Sequence, residues 1–177
     1  MASNYDYAAS LDDVMKNVAI RLDDLKQRII LNMGQAGQIV TGRTAASMRV
    51  EQVSNNEVRL VARPFFSALE TGSQPWMGRT GERMTAQQFR AVIADWATRK
   101  NIVPRGMTVD SFAFVVSRKI MNEGSKLYRS VGRNDIFTQE VERTEDEIRE
   151  SVSDTFRVVM RDIIGNILRF KNTNVWQ

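Results

Sequence analysis

The C-terminal part of the chain carries the pattern that most restricts how it can fold. From residue 137 onward, apolar residues recur at spacings that place them on one face of an α-helix. We therefore predict one long helix over about residues 135–170, roughly 50 Å long at 1.5 Å per residue. Because this length exceeds the core of a domain of 177 residues, we expect part of that face to pack on the first helix or on another subunit. The apolar positions are Phe137, Val141, Ile148, Val152, Val159, Ile163 and Phe170.

Three shorter stretches have the same helical spacing. An amphipathic helix is predicted over about residues 8–33, and two more over residues 85–100 and 111–123. Thr85 is expected to cap the second of these helices, and Asp110 or Ser111 the third, because short polar side chains accept hydrogen bonds from the first free backbone N–H groups. Ser10, followed by Asp12, is a candidate start for the first of these helices.

Residues 47–53 and 57–63 alternate apolar and polar side chains on either side of a Ser-Asn-Asn turn, which predicts a β-hairpin with one buried face. Met48 and Val50 are expected to point inward from the first strand. Val53 breaks the alternation, which indicates a bulge or a strand end, and its side chain either joins them or does not. We expect the hairpin and a following strand to occupy residues 47–70. The predicted fold is α+β, a single domain over residues 1–177 in which helices pack on a small antiparallel β-sheet.

The chain contains no histidine and no cysteine. This excludes Ser-His-Asp catalysis, thiolate nucleophiles, disulfides and nearly all catalytic zinc sites. A carboxylate-based hydrolase would have to use Glu51, Glu57, Glu70 or Asp95, and no spacing among them places two in one site. We therefore expect that the protein is not an enzyme, has no catalytic residues and binds no metal or cofactor.

Hydropathy and charge bear on where the chain works. No apolar run approaches the ~18 residues of a membrane span, and the N-terminus lacks a signal pattern, so we expect a soluble product without a membrane partner. The net charge is +4. Residues 41–133 hold 15 Lys or Arg against 7 Asp or Glu, and the flanks hold 10 against 14. A basic centre between acidic flanks fits a DNA-facing surface, complementary faces between identical neighbours, or ordinary surface solvation.

Several short motifs occur in a recognisable order. Thr41-Gly-Arg-Thr-Ala-Ala-Ser47 precedes the hairpin, and Pro64-Phe-Phe-Ser-Ala-Leu-Glu-Thr-Gly72 follows it. This part of the chain, about residues 10–75, resembles the tail-completion and minor tail proteins of tailed bacteriophages. Longer phage and prophage proteins of this kind are similar further on, at Trp96-Ala-Thr-Arg-Lys100, at Arg118-Lys-Ile-Met-Asn-Glu-Gly124 and at Asp135-Ile-Phe137, where the last helix starts.

The resemblance implies a small sheet packed by helices and a structural role in the virion. The subunit would form a homo-oligomeric ring in the neck, a head–tail connector that joins the capsid portal to the tail, after assembly in the host cytoplasm. Its partners would be neighbouring portal, neck or tail proteins, with DNA passing transiently through the ring. The chain departs from the shorter members in its extra helices and its long terminal helix. The alternative is a basic module that contacts duplex DNA non-specifically.

Two groups of residues are predicted to serve these roles. Glu70, beside a basic loop, is expected to hold an arginine across the fold or across a subunit boundary, or else to be a solvated side chain. Trp76, in a Gly/Pro loop, is a candidate interface anchor, whereas Phe65 and Phe66 are expected in the core. The predicted interface comprises Glu70, Trp76, Arg79, Arg83, Phe137, Val152, Val159 and Ile163, and the predicted DNA channel comprises Arg99, Lys100, Arg105, Arg129 and Arg133.

Overall fold

A computed structural model describes residues 7–64, 66–76 and 84–173. Its α+β architecture, with one antiparallel hairpin and a long helix toward each end, confirms the predicted fold class. Arg79, Arg83 and Phe65 lie outside the described residues. In chain order the elements are α1 (Tyr7–Gln35), α2 (Arg43–Ala46), β1 (Arg49–Ser54), β2 (Glu57–Val61), α3 (Ala68–Thr71), α4 (Ala86–Lys100), α5 (Val109–Glu123), α6 (Lys126–Arg129) and α7 (Thr138–Thr173).

The structure differs from the sequence-based elements in its short segments. The strand expected after the hairpin is not formed, because residues 66–71 make turns and then the single helical turn α3. The short helices α2 and α6 were not predicted from the sequence. The cap of α5 is Thr108 and neither of the two predicted residues, and its side chain accepts a hydrogen bond from the Ser111 backbone N–H.

The chain contacts cluster in two compact units, each built from separate stretches of sequence. Unit 1 comprises residues 1–28, 49–61 and 140–177, and unit 2 comprises residues 29–48 and 62–139. Within each unit, the structure describes only residues in the ranges 7–64, 66–76 and 84–173. The expectation of a single domain stays a prediction.

In unit 1, residues of α1 and α7 face one another. Val14 and Val18 line a small cleft together with Ile148 and Val152, so this part of the apolar face of α7 lies against the first helix, which is one of the two expected alternatives. The hairpin belongs to the same unit. Its antiparallel register pairs Val50 with Leu60 and shifts between Gln52 and Ser54. The predicted irregularity at Val53 is therefore confirmed as a bulge, although the Val53 side chain is exposed and does not point inward.

Unit 2 contains the close pair α4 and α5. The predicted cap of α4 is confirmed, since Thr85 and Gln88 form a capping box in which each side chain accepts from the other residue's backbone N–H. Short helices such as α4 and α5 gain most of their stability from burying an apolar face against a neighbouring element. Here small and medium-sized apolar side chains fill the contact between the two helices. The buried residues of the unit include Ile29, Met33, Met48, Ile93, Ala97, Ala113, Met121 and Ile136.

Within the ranges that the structure covers, no helix is long and apolar enough to cross a lipid bilayer.

Val131 has an unusual backbone conformation. Its φ of 69° lies in the left-handed region, which a β-branched residue rarely adopts. It follows α6, where the N–H of Gly132 donates to the carbonyl of Leu127 and the N–H of Val131 donates to that of Tyr128. This is the position after a helix end at which glycine is usual. The Val131 side chain is 97% exposed, so burial does not offset the strain.

We expect Val131→Gly to raise the free energy of unfolding by about 1 kcal/mol, because glycine adopts the left-handed conformation without the steric cost of a Cβ. Urea denaturation measures the change. Val131→Ala is the matched control, since it shortens the side chain but keeps the Cβ. An equal gain from Val131→Ala, or a loss from Val131→Gly, would contradict the assignment of strain to this residue.

Candidate functional site

The side chain of Glu70, in unit 2, is buried and accepts four hydrogen bonds. It is 3% exposed and belongs to α3. One carboxylate oxygen accepts hydrogen bonds from the backbone N–H groups of Ile136 (2.9 Å), Phe137 (2.7 Å) and Thr138 (3.0 Å). The other accepts from the Thr138 hydroxyl at 2.5 Å. A side chain 66 residues upstream of Ile136 thus satisfies the free donors at the start of α7.

The charge of Glu70 is favoured at this position. Burial by itself would raise its pKa, but the hydroxyl of Thr138 and the three backbone N–H groups stabilise the carboxylate more strongly, so its pKa lies below the ordinary value of 4.5. The positive end of the α7 dipole acts in the same direction. Glu70 is therefore not a solvated side chain, which corrects that alternative. Its assignment to a subunit interface stays a prediction.

The backbone around Glu70 is held as closely as its side chain. The Arg133 N–H donates to the Glu70 carbonyl at 3.0 Å. Gly132 has a φ of 78°, and a Cβ added there would lie 2.8 Å from the same carbonyl. The ring of Phe66 lies 5.1 Å from that of Phe137 at an angle of 41°. The Leu-Glu-Thr-Gly and Asp-Ile-Phe motifs are therefore in direct contact.

We expect Glu70→Gln to lower the free energy of unfolding by about 1–3 kcal/mol, the usual cost of weakening a buried, charge-assisted hydrogen-bond site. Because the folded-state pKa is depressed, the contribution of this carboxylate is fully present above the unfolded pKa, near 4.5. It is lost as the pH falls through the lower folded pKa. Denaturation at a series of pH values from 7 downward measures both effects.

In that experiment the variant loses less stability between neutral and acidic pH than the wild type. Asp24→Asn, which removes an exposed carboxylate of the same charge, is the control and should keep the wild-type pH profile. An unchanged profile for Glu70→Gln would show that the carboxyl has the same pKa in the folded and unfolded protein, and would contradict its lowered pKa in the fold.

The acidic first half of α7 divides into two faces within unit 1. On the inner face, Arg28 Nε lies 2.9 Å from Glu140 Oε2 and Arg28 Nη2 lies 3.7 Å from Glu147 Oε2. Arg28 Nη2 also donates to the Thr144 hydroxyl at 2.6 Å. Thr144 is 2% exposed. These acidic residues therefore join α7 to α1.

We expect Arg28→Met to lower the free energy of unfolding by about 1–3 kcal/mol, because it leaves the half-buried carboxylate of Glu140 without its cation. A double-mutant cycle with Glu140→Gln, measured by urea denaturation, isolates the pair. Arg149→Met is the control, since its partners on α7 are exposed and such pairs contribute little. Additive effects of the two substitutions would contradict a direct coupling.

On the outer face of α7, Glu142, Asp146 and Glu150 follow one another at a spacing of four residues and are exposed. Asp146 pairs with Arg149 at 2.9 Å. Glu142 and Glu150 make no ion pair or hydrogen bond with any residue in the described ranges. We call this row the acidic ridge. It presents negative charge to its surroundings and is not needed to hold unit 1 together.

A groove in unit 2 presents the opposite charge. It has a volume of about 530 Å³ and lies between the segment that leads into α2 and the outer face of α4, with Arg63 also on its wall. Arg43 and Arg63 are exposed, and neither has a carboxylate within ion-pair distance among the residues described. The remaining charged wall residue, Asp95, is held by Arg99 Nε at 2.8 and 2.9 Å. We call this site the basic groove.

Most of the predicted interface residues that the structure describes are buried or half-buried within their own unit. Trp76 is half-buried, and its ring lies edge-on to that of Phe89, with 5.5 Å between the ring centroids. The backbone N–H of Trp76 donates to the Met121 carbonyl. Val159 is 8% exposed, and Val152 and Ile163 are half-buried. These residues therefore have partners within their own units, and their assignment to a subunit interface stays a prediction.

The predicted DNA-channel residues are also largely engaged. Lys100 donates to the carbonyls of Gly37 (2.7 Å) and Ile39 (3.4 Å). Arg99 is held by Asp95, Arg129 pairs with Glu123 at 3.2 Å, and Arg133 pairs with Asp135 at 2.5 Å. Arg105 is exposed and has no ion pair with a described residue. Four of the five thus have roles within the protein.

Arg43 and Arg63 were not among the predicted site residues. The sequence carried one signal for Arg43, because it stands inside the Thr41-Gly-Arg-Thr44 motif. It carried none for Arg63, which reads as a polar position at the end of a strand. Only folding places the two on one groove.

Comparison of the chain with protein-family models, curated proteins and solved structures found no significant match.

Proposed function

We propose that this chain is a non-enzymatic structural protein of a tailed-phage particle, a ring-forming subunit of the neck or tail-completion type. It would join the capsid portal to the tail through contacts with copies of itself and with neighbouring portal, neck or tail proteins. DNA would pass through the ring without being held. Assembly would take place in the host cytoplasm, and the final location would be the virion.

The observation that carries the proposal is the contact made by Glu70. The resemblance to phage proteins depends on separate short motifs, and two of them, around Glu70 and around Phe137, are joined by hydrogen bonds. Their contact supports the interpretation that they belong to one structural unit.

The charge distribution is the second support. Unit 2 carries 13 Lys or Arg against 6 Asp or Glu, a net charge of +7, whereas unit 1 carries 12 against 15, a net charge of −3. Each copy therefore offers one basic and one acidic unit. Ring formation needs different patches to meet on neighbouring copies, and opposite charges on two such patches favour that contact.

We expect the purified protein to form a discrete closed oligomer whose mass, measured by light scattering across a concentration series, reaches a plateau. Added salt should shift the dissociation to higher protein concentration, because charges at the rim of an interface are screened. A mass that rises without limit would indicate an open filament. A monomer at every concentration and at both low and high salt would contradict the proposal.

A second candidate function is non-specific binding of duplex DNA, which the +7 charge of unit 2 favours. Exposed arginines that form no ion pair with a described residue, such as Arg43, Arg63 and Arg105, are suited to phosphate contacts. Titration of a duplex at several salt concentrations tests this function. Affinity that falls steeply with salt would support it, and a weak affinity that does not respond to salt would exclude it.

A further inference from the structure

The basic groove has the features of a surface that receives acidic side chains. Arg43 and Arg63 supply the positive charge, the hydroxyls of Thr41 and Thr44 can donate hydrogen bonds, and Trp96 adds an aromatic surface. Val92, also on its wall, is 49% exposed. A volume of about 530 Å³ accepts several side chains, but a helix with its side chains is about 10–12 Å across and would have to lie over the opening.

The acidic ridge has the matching form. Glu142, Asp146 and Glu150 are exposed on one side of α7, and residues four apart on a helix rise by about 6 Å, so the three carboxylates span about 12 Å. The ridge therefore offers carboxylates for two arginines.

We propose that the acidic ridge of one copy docks over the basic groove of a second copy. This inference rests on the proposed function and names the two surfaces that would form its subunit interface. Arg43 and Arg63 would bind the carboxylates of Glu142 and Glu150, which lack an ion-pair partner among the described residues of their own chain. Arginine is suited to this role because its planar guanidinium binds a carboxylate through two hydrogen bonds.

Complementary charge selects a second copy over the other occupants. The groove belongs to unit 2 with its net charge of +7, and the ridge to unit 1 with its net charge of −3. Two grooves or two ridges brought together would repel each other, whereas groove and ridge attract. A polyanion such as duplex DNA would fit the arginines but would leave the acidic ridge without a role.

Charge reversal at each surface tests the proposal. One variant carries Arg43→Glu and Arg63→Glu, a second carries Glu142→Arg and Glu150→Arg, and a third carries all four substitutions. Circular dichroism and thermal unfolding establish that each variant folds. If a reversed variant does not fold, Arg43→Gln with Arg63→Gln removes the charge more mildly. Asp24→Arg, at an exposed carboxylate that forms no ion pair with a described residue and lies outside both surfaces, is the control for a change in net charge.

The proposal predicts a distinctive pattern in sedimentation or light scattering. Each two-site variant alone should associate at least about tenfold more weakly than the wild type, because like charges then meet at the interface. A mixture of the two variants should associate again, and so should the four-site variant, because groove and ridge regain opposite signs. The control should behave as the wild type does.

Other outcomes overturn the inference. Wild-type-like oligomers from both two-site variants would show that other surfaces form the interface, and the proposed ring would stand. A four-site variant that stays dissociated would show that charge pairing between the two surfaces is not the cause. A wild type that is monomeric throughout would contradict the inference and the proposed function together. Loss of salt-dependent duplex binding in the arginine variant, without any change in self-association, would assign the groove to DNA.

Discussion

The contact between Glu70 and the start of α7 is the interaction on which the rest of unit 2 depends. The first N–H groups of any helix lack partners within the helix, and at this helix start Ile136 is fully buried. Water therefore cannot satisfy its N–H. A buried carboxylate from another segment satisfies three of these donors at once and gains from the helix dipole. The close passage of Gly132 and the hydrogen bond from Arg133 hold the same segment in place.

One residue type has two functions along α7, and burial decides which. Glu140 and Glu147 face α1 and neutralise Arg28, so their charges are balanced within the unit. Glu142 and Glu150 differ from them only in the side of the helix they occupy, and in the described structure they have no cation nearby. Exposed charges without partners contribute little to folding. Their value lies in what they attract or repel.

The sequence predicted the elements that local pattern determines. The spacing of apolar residues located α7, the alternation located the hairpin, and Thr85 marked the start of α4 through a cap made within four residues. It did not predict the cap of α7, because that cap comes from a residue 66 positions away and depends on the folded chain. It also placed Val152 and Val159 at an interface, since an apolar face alone does not say whether its partner is in the same chain.

If the acidic ridge binds the basic groove as proposed, the two surfaces limit the assemblies that this chain can form. A two-fold dimer is favoured only if both groove–ridge contacts close at once, which requires the two surfaces to face each other across a single axis. If they do not, each copy uses its groove on one neighbour and its ridge on the other. Every copy at the end of such a row then has one charged surface unpaired. Closure into a ring pairs that last groove with the last ridge, so the electrostatic term that drives the first contact also favours a closed assembly over an open one.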